Sequence, residues 1–132
     1  MKQEDRNLLL KDLSARLPYD VVISTPNGNG HLCSINQTIF GNEYGINISA
    51  TRRDYFNDDI LNFKPYLRPL SSITEKEETI FEQLIKDVHY KTRPSTALRL
   101  VDWLEKNMFD HRGLIPLGLA IEVTKENNPY KL

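Results

Sequence analysis

The amino-acid sequence predicts an α+β domain in which a β-rich middle part lies between helical segments. Apolar residues recur every three or four positions near both ends of the chain, which is the period of an amphipathic helix. In the middle they alternate with polar residues, which is the period of a strand. A chain of 132 residues suits one domain. We therefore predict a helix over residues 1–18, a β-rich part over 19–73, a helical hairpin over 74–108 and a packed tail over 109–126.

The first helix is predicted from leucines that are four residues apart. Leu9 and Leu13 belong to this apolar stripe, whereas Asp12 and Arg16 fall on other faces of the helix. Pro18 ends the helix, because the residue before a proline avoids the helical conformation. We expect the leucines to pack on the core.

The β-rich part begins with short strands joined by tight turns. Residues 21–23 form a β-branched run, and the Asn-Gly-Asn-Gly sequence at 27–30 has the composition of a hairpin turn rather than of a phosphate-binding loop. Residues 31–36 are predicted to resume as a strand. The clearest alternation of apolar and polar residues lies over 44–50.

The second half of the β-rich part is more polar. Residues 51–59 are charged and are predicted to form a loop. Pro65 and Pro69 exclude a helix, and because proline cannot donate a hydrogen bond to a neighbouring strand, we expect the stretch around 66–70 to form a sheet edge or to lie alongside one. The element order predicts a small SH3-like barrel or a bent antiparallel sheet, flanked by the N-terminal helix and a C-terminal helical hairpin.

The helical hairpin is predicted from capping and periodicity. Thr74 and Glu77 have the spacing of a capping box, in which each side chain accepts a hydrogen bond from the other residue's backbone amide. Pro94 separates a second helix, which runs to about residue 108. Because short connections join neighbouring helices, we expect an antiparallel pair. The residues expected at the contact are Phe81, Leu84, Trp103 and Leu104.

The tail is too apolar to remain in solvent. We expect Leu114, Ile115, Leu119 and Ile121 to be buried, so that the tail closes over the core as a structural clasp. Residues 127–132 are expected to be loose.

Composition limits the function. The charged fraction is 27% and the net charge is −1, which argues against a strongly basic nucleic-acid binder. The single cysteine, Cys33, excludes an internal disulfide. No targeting signal or membrane-spanning stretch is evident, so we expect a cytoplasmic protein without membrane association or a small-molecule cofactor.

Three strings carry a resemblance to a known group. They are residues 9–19 (LLKDLSARLPY), residues 64–75 (KPYLRPLSSITE) with Ile60, and residues 109–122 (FDHRGLIPLGLAIE). In this order they resemble a group of small uncharacterised proteins encoded by phages and prophages of gut Bacteroidetes. The resemblance implies a phage-related origin and no established activity. The segment of residues 51–59 is longer than the corresponding loop in the proteins of this group.

The sequence contains one candidate catalytic cluster, Asp110-His111-Arg112. A carboxylate beside an imidazole can orient a general base. The alternative is structural: Asp110 caps the turn after the helix, Arg112 pairs with a carboxylate, and Gly113 supplies the turn. We favour the structural interpretation and assign no catalytic residue.

Metal binding has weak support in the sequence. His31, His89 and His111 lack the spacing of known metal ligands, and we expect that His111 binds no metal. Asp54, Asp58 and Asp59 are interpreted as part of a solvated acidic loop rather than a magnesium site.

The best candidate for a binding face combines cations with aromatic rings. It comprises Arg52, Arg53, Lys64, Arg68 and Tyr66, which could hold phosphates and stack on bases. Our leading hypothesis is nevertheless a non-catalytic accessory protein that acts through a protein partner or self-association. The alternatives are a nucleic-acid-binding accessory factor and, less favoured, a hydrolytic enzyme that uses Asp110 and His111.

Overall fold

The computed structural model describes residues 2–26, 28–37, 45–51 and 54–130, and it has the predicted mixture of helices and strands. The helices are α1 (Lys2–Arg16), α2 (Glu75–Lys91) and α3 (Pro94–Lys106). The strands are β1 (Val22–Thr25), β2 (Gly28–His31), β3 (Ser34–Gln37), β4 (Gly45–Thr51), β5 (Asp54–Asp59), β6 (Lys64–Leu67) and β7 (Ile121–Glu122). No helix in these ranges is long and apolar enough to cross a membrane.

The strands form two small sheets. One has the order β2-β1-β6-β7 and the other the order β3-β4-β5. All pairings are antiparallel except that of β6 with β7. Across the described ranges, no strand pairing joins the two sheets or closes either one. The expected SH3-like barrel is therefore not confirmed, and the four-stranded sheet is open and mixed.

The core lies between α1, the four-stranded sheet and the tail. Leu9 and Leu13 of α1 are fully buried, as the leucine spacing predicts. They pack in one apolar cluster with residues from β1, from the segment before β6 and from the tail. The buried members of the cluster are Leu9, Leu13, Val21, Ile23, Leu32, Ile60, Phe63, Leu67, Met108, Leu114, Leu119 and Ala120.

Two predictions about the strands are wrong. The strand expected over 31–36 is two strands, because β2 ends at His31 and pairs with β1, while β3 begins at Ser34 and pairs with β4. The loop expected over 51–59 is the end of β4 and all of β5, which pair as a hairpin. β5 is the edge strand of its sheet, and a charged edge strand resists pairing with other chains.

The segment that contains Pro65 and Pro69 does not form the edge of its sheet, but it lies alongside the edge strand β7. β6 lies inside its sheet, between β1 and β7. The two neighbours are staggered along it: Pro65 pairs with Ile23 of β1, and Tyr66 pairs with Ile121 of β7. Because Pro65 has a paired strand on one side only, its missing N–H is tolerated in an interior strand.

The tail is packed, as predicted. Leu114 is fully buried and Leu119 nearly so, while Ile115 packs against the core cluster and Ile121 is half-buried in β7. The expectation of a loose end is wrong for residues 127–130. The Tyr130 hydroxyl donates to the carbonyl of Tyr66 at 2.7 Å and accepts from the amide of Val22 at 3.1 Å. Burial raises the pKa of this phenol to about 12.

Replacing Tyr130 with phenylalanine should lower the free energy of unfolding by about 1–3 kcal/mol, because it leaves two backbone groups without their partner. The measurement is urea unfolding followed by circular dichroism. Tyr90→Phe is the control, since Tyr90 is 78% exposed on α2. Equal effects of the two substitutions would show that the Tyr130 hydroxyl contributes nothing.

The helical hairpin forms as predicted. Thr74 Oγ1 accepts from the amide of Glu77, and Glu77 accepts from the amide of Thr74 at 3.0 Å, which completes the capping box. The rings of Phe81 and Trp103 stack with centroids 6.0 Å apart. Phe81 lies near the start of α2 and Trp103 near the end of α3, so the helices run antiparallel. Leu104 is buried, whereas Leu84 is only half-buried.

Candidate functional site

Arg68 of the predicted cationic face is held by neighbours within the fold. Its guanidinium donates to both carboxylate oxygens of Glu77, at 2.7 and 2.8 Å, and lies 4.2 Å from the centroid of the Phe109 ring. The hydrogen bonds from Arg68 hold the pKa of Glu77 down at about 2. The positive charge of Arg68 is thus neutralised within the molecule, where it attaches the start of α2 to the end of β6.

The other members of this face either have separate contacts, are exposed, or lie outside the described residues. Tyr66 donates its hydroxyl to Asn29 Oδ1 at 3.0 Å, and its carbonyl binds Tyr130. Lys64 is exposed at the start of β6. Arg52 and Arg53 lie outside the described residues, so the face as a whole stays a prediction.

The Asp110-His111-Arg112 cluster begins with a turn, as the structural interpretation predicts. The Asp110 carboxylate accepts hydrogen bonds from the amides of Leu114 at 2.7 Å and Ile115 at 2.9 Å. Gly113, which lies between Asp110 and Leu114 in the sequence, has a φ of +76°, a conformation that favours glycine. Both oxygens of Asp110 are therefore used to fold the tail.

Arg112 belongs to a buried network of charges that joins the tail to α1 and α3. It binds Asp12 Oδ1 at 2.9 Å and Glu105 Oε2 at 2.8 Å. Arg16 binds the other oxygen of Asp12 at 2.9 Å and donates to the carbonyl of Phe109 at 2.6 Å. Asp12 and Arg16 are completely buried, and Glu105 is nearly so.

This burial corrects the expectation that Asp12 and Arg16 lie on faces of α1 away from the core. The only local signal is their spacing, since an aspartate and an arginine four residues apart can pair along a helix. That spacing is equally common on solvated helices. The network depends on Glu105 and Arg112, which are distant in sequence, and each buried charge is tolerated because it has an opposite partner.

His111 lies at the edge of this network of charges. Its Nε2 lies 3.2 Å from Arg112 Nη1 and 3.4 Å from Glu105 Oε2. Burial, followed by the charges of Arg112 and Arg16, lowers the pKa of the ring below its usual 6.5, although Glu105 opposes the shift. The neutral ring can accept from Arg112 at Nε2. A catalytic role would need a nucleophile, whereas within the described part of the chain the hydrogen-bond partners of the ring are the side chains of Arg112 and Glu105.

Acid should therefore destabilise the protein through His111. The unfolded chain binds a proton at the ordinary pKa of 6.5, whereas the folded protein binds it only at lower pH. Stability is fully present above this window and falls as the pH drops through it. Between about pH 8 and about pH 5, His111→Gln should lose less free energy of unfolding than the wild type. Parallel pH profiles of the two proteins would refute this role.

Three of the remaining candidate ligands, His31, His89 and Asp59, have separate partners. His31 Nδ1 lies 3.0 Å from Asp20 Oδ1 at the surface, and His89 packs edge-on against Tyr90 on α2. Asp59 caps a short turn and pairs with Arg6 of α1 at 2.6 Å. Among the residues that the structure describes, no group of three or more His, Cys, Asp or Glu could hold a metal ion.

A cleft of about 640 Å³ lies beside the His31–Asp20 pair and was not anticipated from the sequence. Its walls come from the turn after α1, the end of α3 and the end of the tail. The lining residues are Tyr19, Asp20, His31, Arg68, Lys106, Asn107, Met108, Asn128, Pro129 and Tyr130. Asp20 could hold the imidazole for base catalysis, yet both side chains are more than half exposed, and this lining includes no serine, threonine or cysteine.

The surface of the helical hairpin is the most distinctive exposed feature. No residue of α2 is buried, and the main core cluster includes no residue of α2 or α3. Large apolar side chains instead remain in solvent: Ile85 is 44% exposed and Leu98 is 62% exposed. Single exposed apolar residues are common on protein surfaces, but several on one pair of helices are typical of a contact surface.

Comparisons with family models, with curated proteins and with solved structures find no match to this chain.

Proposed function

We propose that this chain is a non-catalytic, cytoplasmic accessory protein that acts by binding another protein through its helical hairpin. The observation that carries the proposal is the position of α2 and α3 outside the core cluster, with Ile85 and Leu98 exposed. Helices with exposed apolar side chains are a recurrent means of protein recognition. A phage or prophage origin is part of the proposal and rests on the resemblance of the three strings.

The arrangement of these strings supports a structural role for the residues that they contain. Arg16 of the first string donates to the carbonyl of Phe109 in the third. Arg68 of the second string covers the ring of the same Phe109, and its carbonyl accepts from the amide of Asp110 at 2.8 Å. The three strings thus converge at one place in the fold, and Arg16 and Arg68 are used in holding them together.

The test compares two pairs of exposed apolar residues. A double substitution on the hairpin, Ile85→Ser with Leu98→Ser, is matched by Leu70→Ser with Leu117→Ser, whose targets are exposed to a similar degree elsewhere. Each tagged variant is co-expressed with an untagged wild-type copy in a bacterial host, cross-linked and captured. We expect a defined protein to be retained by the wild type and by the control pair and lost with the hairpin pair. Retention by the hairpin pair would refute the proposal.

Nucleic-acid binding is the second candidate. It is favoured by the adjacency of exposed Lys64 and the aromatic ring of Tyr66 in β6, and it would also use Arg52 and Arg53. The fluorescence anisotropy of a labelled single-stranded oligonucleotide is the measurement. Arg52→Ala with Arg53→Ala should then weaken binding and flatten its salt dependence.

A further inference from the structure

One side of α2 carries acidic residues followed by a basic residue. Glu75, Glu78 and Glu82 occupy the first half of the helix, whereas Lys86 lies in its second half, and Arg93 lies two residues beyond its end. With 3.6 residues per turn, Glu75, Glu82 and Lys86 point within about 40° of one another. They point to one side of Phe81, which stacks on Trp103 of α3. The acidic and basic halves are therefore presented on one exposed side of the hairpin.

These charges have no ion-pair partner among the residues that the structure describes. In the described part of the chain, no ion pair involves Glu75, Glu82, Lys86 or Arg93. Glu82 and Lys86 are four residues apart and exposed, yet they do not pair with each other. Other charges of the hairpin are paired, as Lys91 is with Asp87 and Glu77 with Arg68. The unpaired set is the part of the helix that remains available to a partner.

The order of the unpaired charges is complementary to itself. When two identical helices pack antiparallel around a twofold axis, residues at equal distances on either side of the axis face each other. An axis level with Leu84 places Glu82 opposite Lys86 of the second copy. It also places Lys86 opposite Glu82 of the second copy, so one axis forms the same pair in each half of the contact.

An exposed apolar residue of α2 lies almost level with the same axis. Ile85, which is 44% exposed, is one residue from Leu84 and points about 80° around the helix from Glu75. The two copies of Ile85 would therefore meet at one edge of the contact, beside the charged pairs.

We propose that the partner of the hairpin is a second copy of this chain, bound through antiparallel packing of the two α2 helices. This inference rests on the proposed function and adds the identity of the partner. The contact is isologous, so it closes as a dimer and does not propagate into a fibre. Because it relies on exposed ion pairs and a small apolar edge, it weakens as salt is added.

Charge reversal tests the proposed register. Glu82→Lys alone places lysine opposite lysine in a homodimer, and Lys86→Glu alone places glutamate opposite glutamate. A mixture of the two variants restores opposite charges at both positions. By sedimentation velocity at low ionic strength, each variant alone should have a dimer Kd raised at least about tenfold, and the equimolar mixture should associate like the wild type. Glu122→Lys, at an exposed site in β7, is the control and should change nothing.

The outcomes separate this inference from the function on which it rests. If the wild type stays monomeric at every concentration reached, or if the mixture of variants does not associate, the second copy is not the partner. The protein-binding function still stands in that case if the capture of a different protein depends on Ile85 and Leu98. If neither association nor such capture occurs, both proposals are wrong.

Discussion

Replacing Arg16 with methionine is expected to lower the free energy of unfolding by about 3–5 kcal/mol. The guanidinium is completely buried, binds Asp12 and donates to the carbonyl of Phe109. Methionine fills similar space but leaves the buried Asp12 carboxylate with Arg112 as its remaining ion-pair partner, and leaves the Phe109 carbonyl without this donor. The loss of a charge partner in the interior is costly because water cannot replace it.

Urea unfolding followed by circular dichroism measures this effect, with two comparisons. Arg99→Met, at an exposed site on α3, should change stability by no more than about 0.5 kcal/mol. Adding Asp12→Asn to Arg16→Met should recover part of the lost free energy of unfolding, because it removes the buried carboxylate charge that has lost its Arg16 partner. If Arg16→Met costs no more than Arg99→Met, the buried network does not stabilise the fold.

Truncation after Phe109 is expected to abolish cooperative unfolding. It removes Leu114 and Leu119 from the core, Arg112 from the buried network and Tyr130 from the sheet. Burial of a large apolar side chain contributes about 1.5–3 kcal/mol, and the whole stability of a small domain is only about 5–15 kcal/mol. The truncated chain should therefore show no sigmoidal thermal transition by calorimetry or circular dichroism.

A single substitution in the tail tests the same clasp in a chain that still folds. Leu114→Ala should cost about 2–5 kcal/mol, because Leu114 is completely buried. Leu117→Ala is the matched control in the same tail, since Leu117 is 54% exposed. A truncated chain that melts cooperatively, or equal effects of the two leucine variants, would contradict the role of the tail as a clasp.

The parts of the fold that could be predicted from the sequence are those set by local interactions. The leucine period of α1, the capping box at Thr74 and Glu77, and the apolar content around Leu114 each act within a few residues, and each is confirmed. Strand partners are different, because pairing depends on segments that are remote in sequence. Nothing near Ser34 shows that the chain leaves one sheet and enters the other there.

The candidate site shows the same limit for charged residues. The sequence places Arg68 among cations and aromatic rings, which suggested a surface for phosphates. Its real partners are Glu77, nine residues later, and Phe109, which only tertiary packing brings near. Similarly, Arg112 reaches Asp12 across 100 positions of the chain. The sequence identifies which residues are charged, but the packing decides which of them remain available for binding.

Because α2 lies outside the core cluster, selection for stability and selection for contacts with a partner can act on different residues. In a typical domain, a residue that contacts a partner also helps to hold the fold, so a change of partner carries a risk of unfolding. Here the side chains on the outward side of α2 contribute little to the core, since none of them is buried. Substitutions there cost little stability. This side of the hairpin can therefore accumulate successive mutations while the core, the buried charges and the tail stay unchanged.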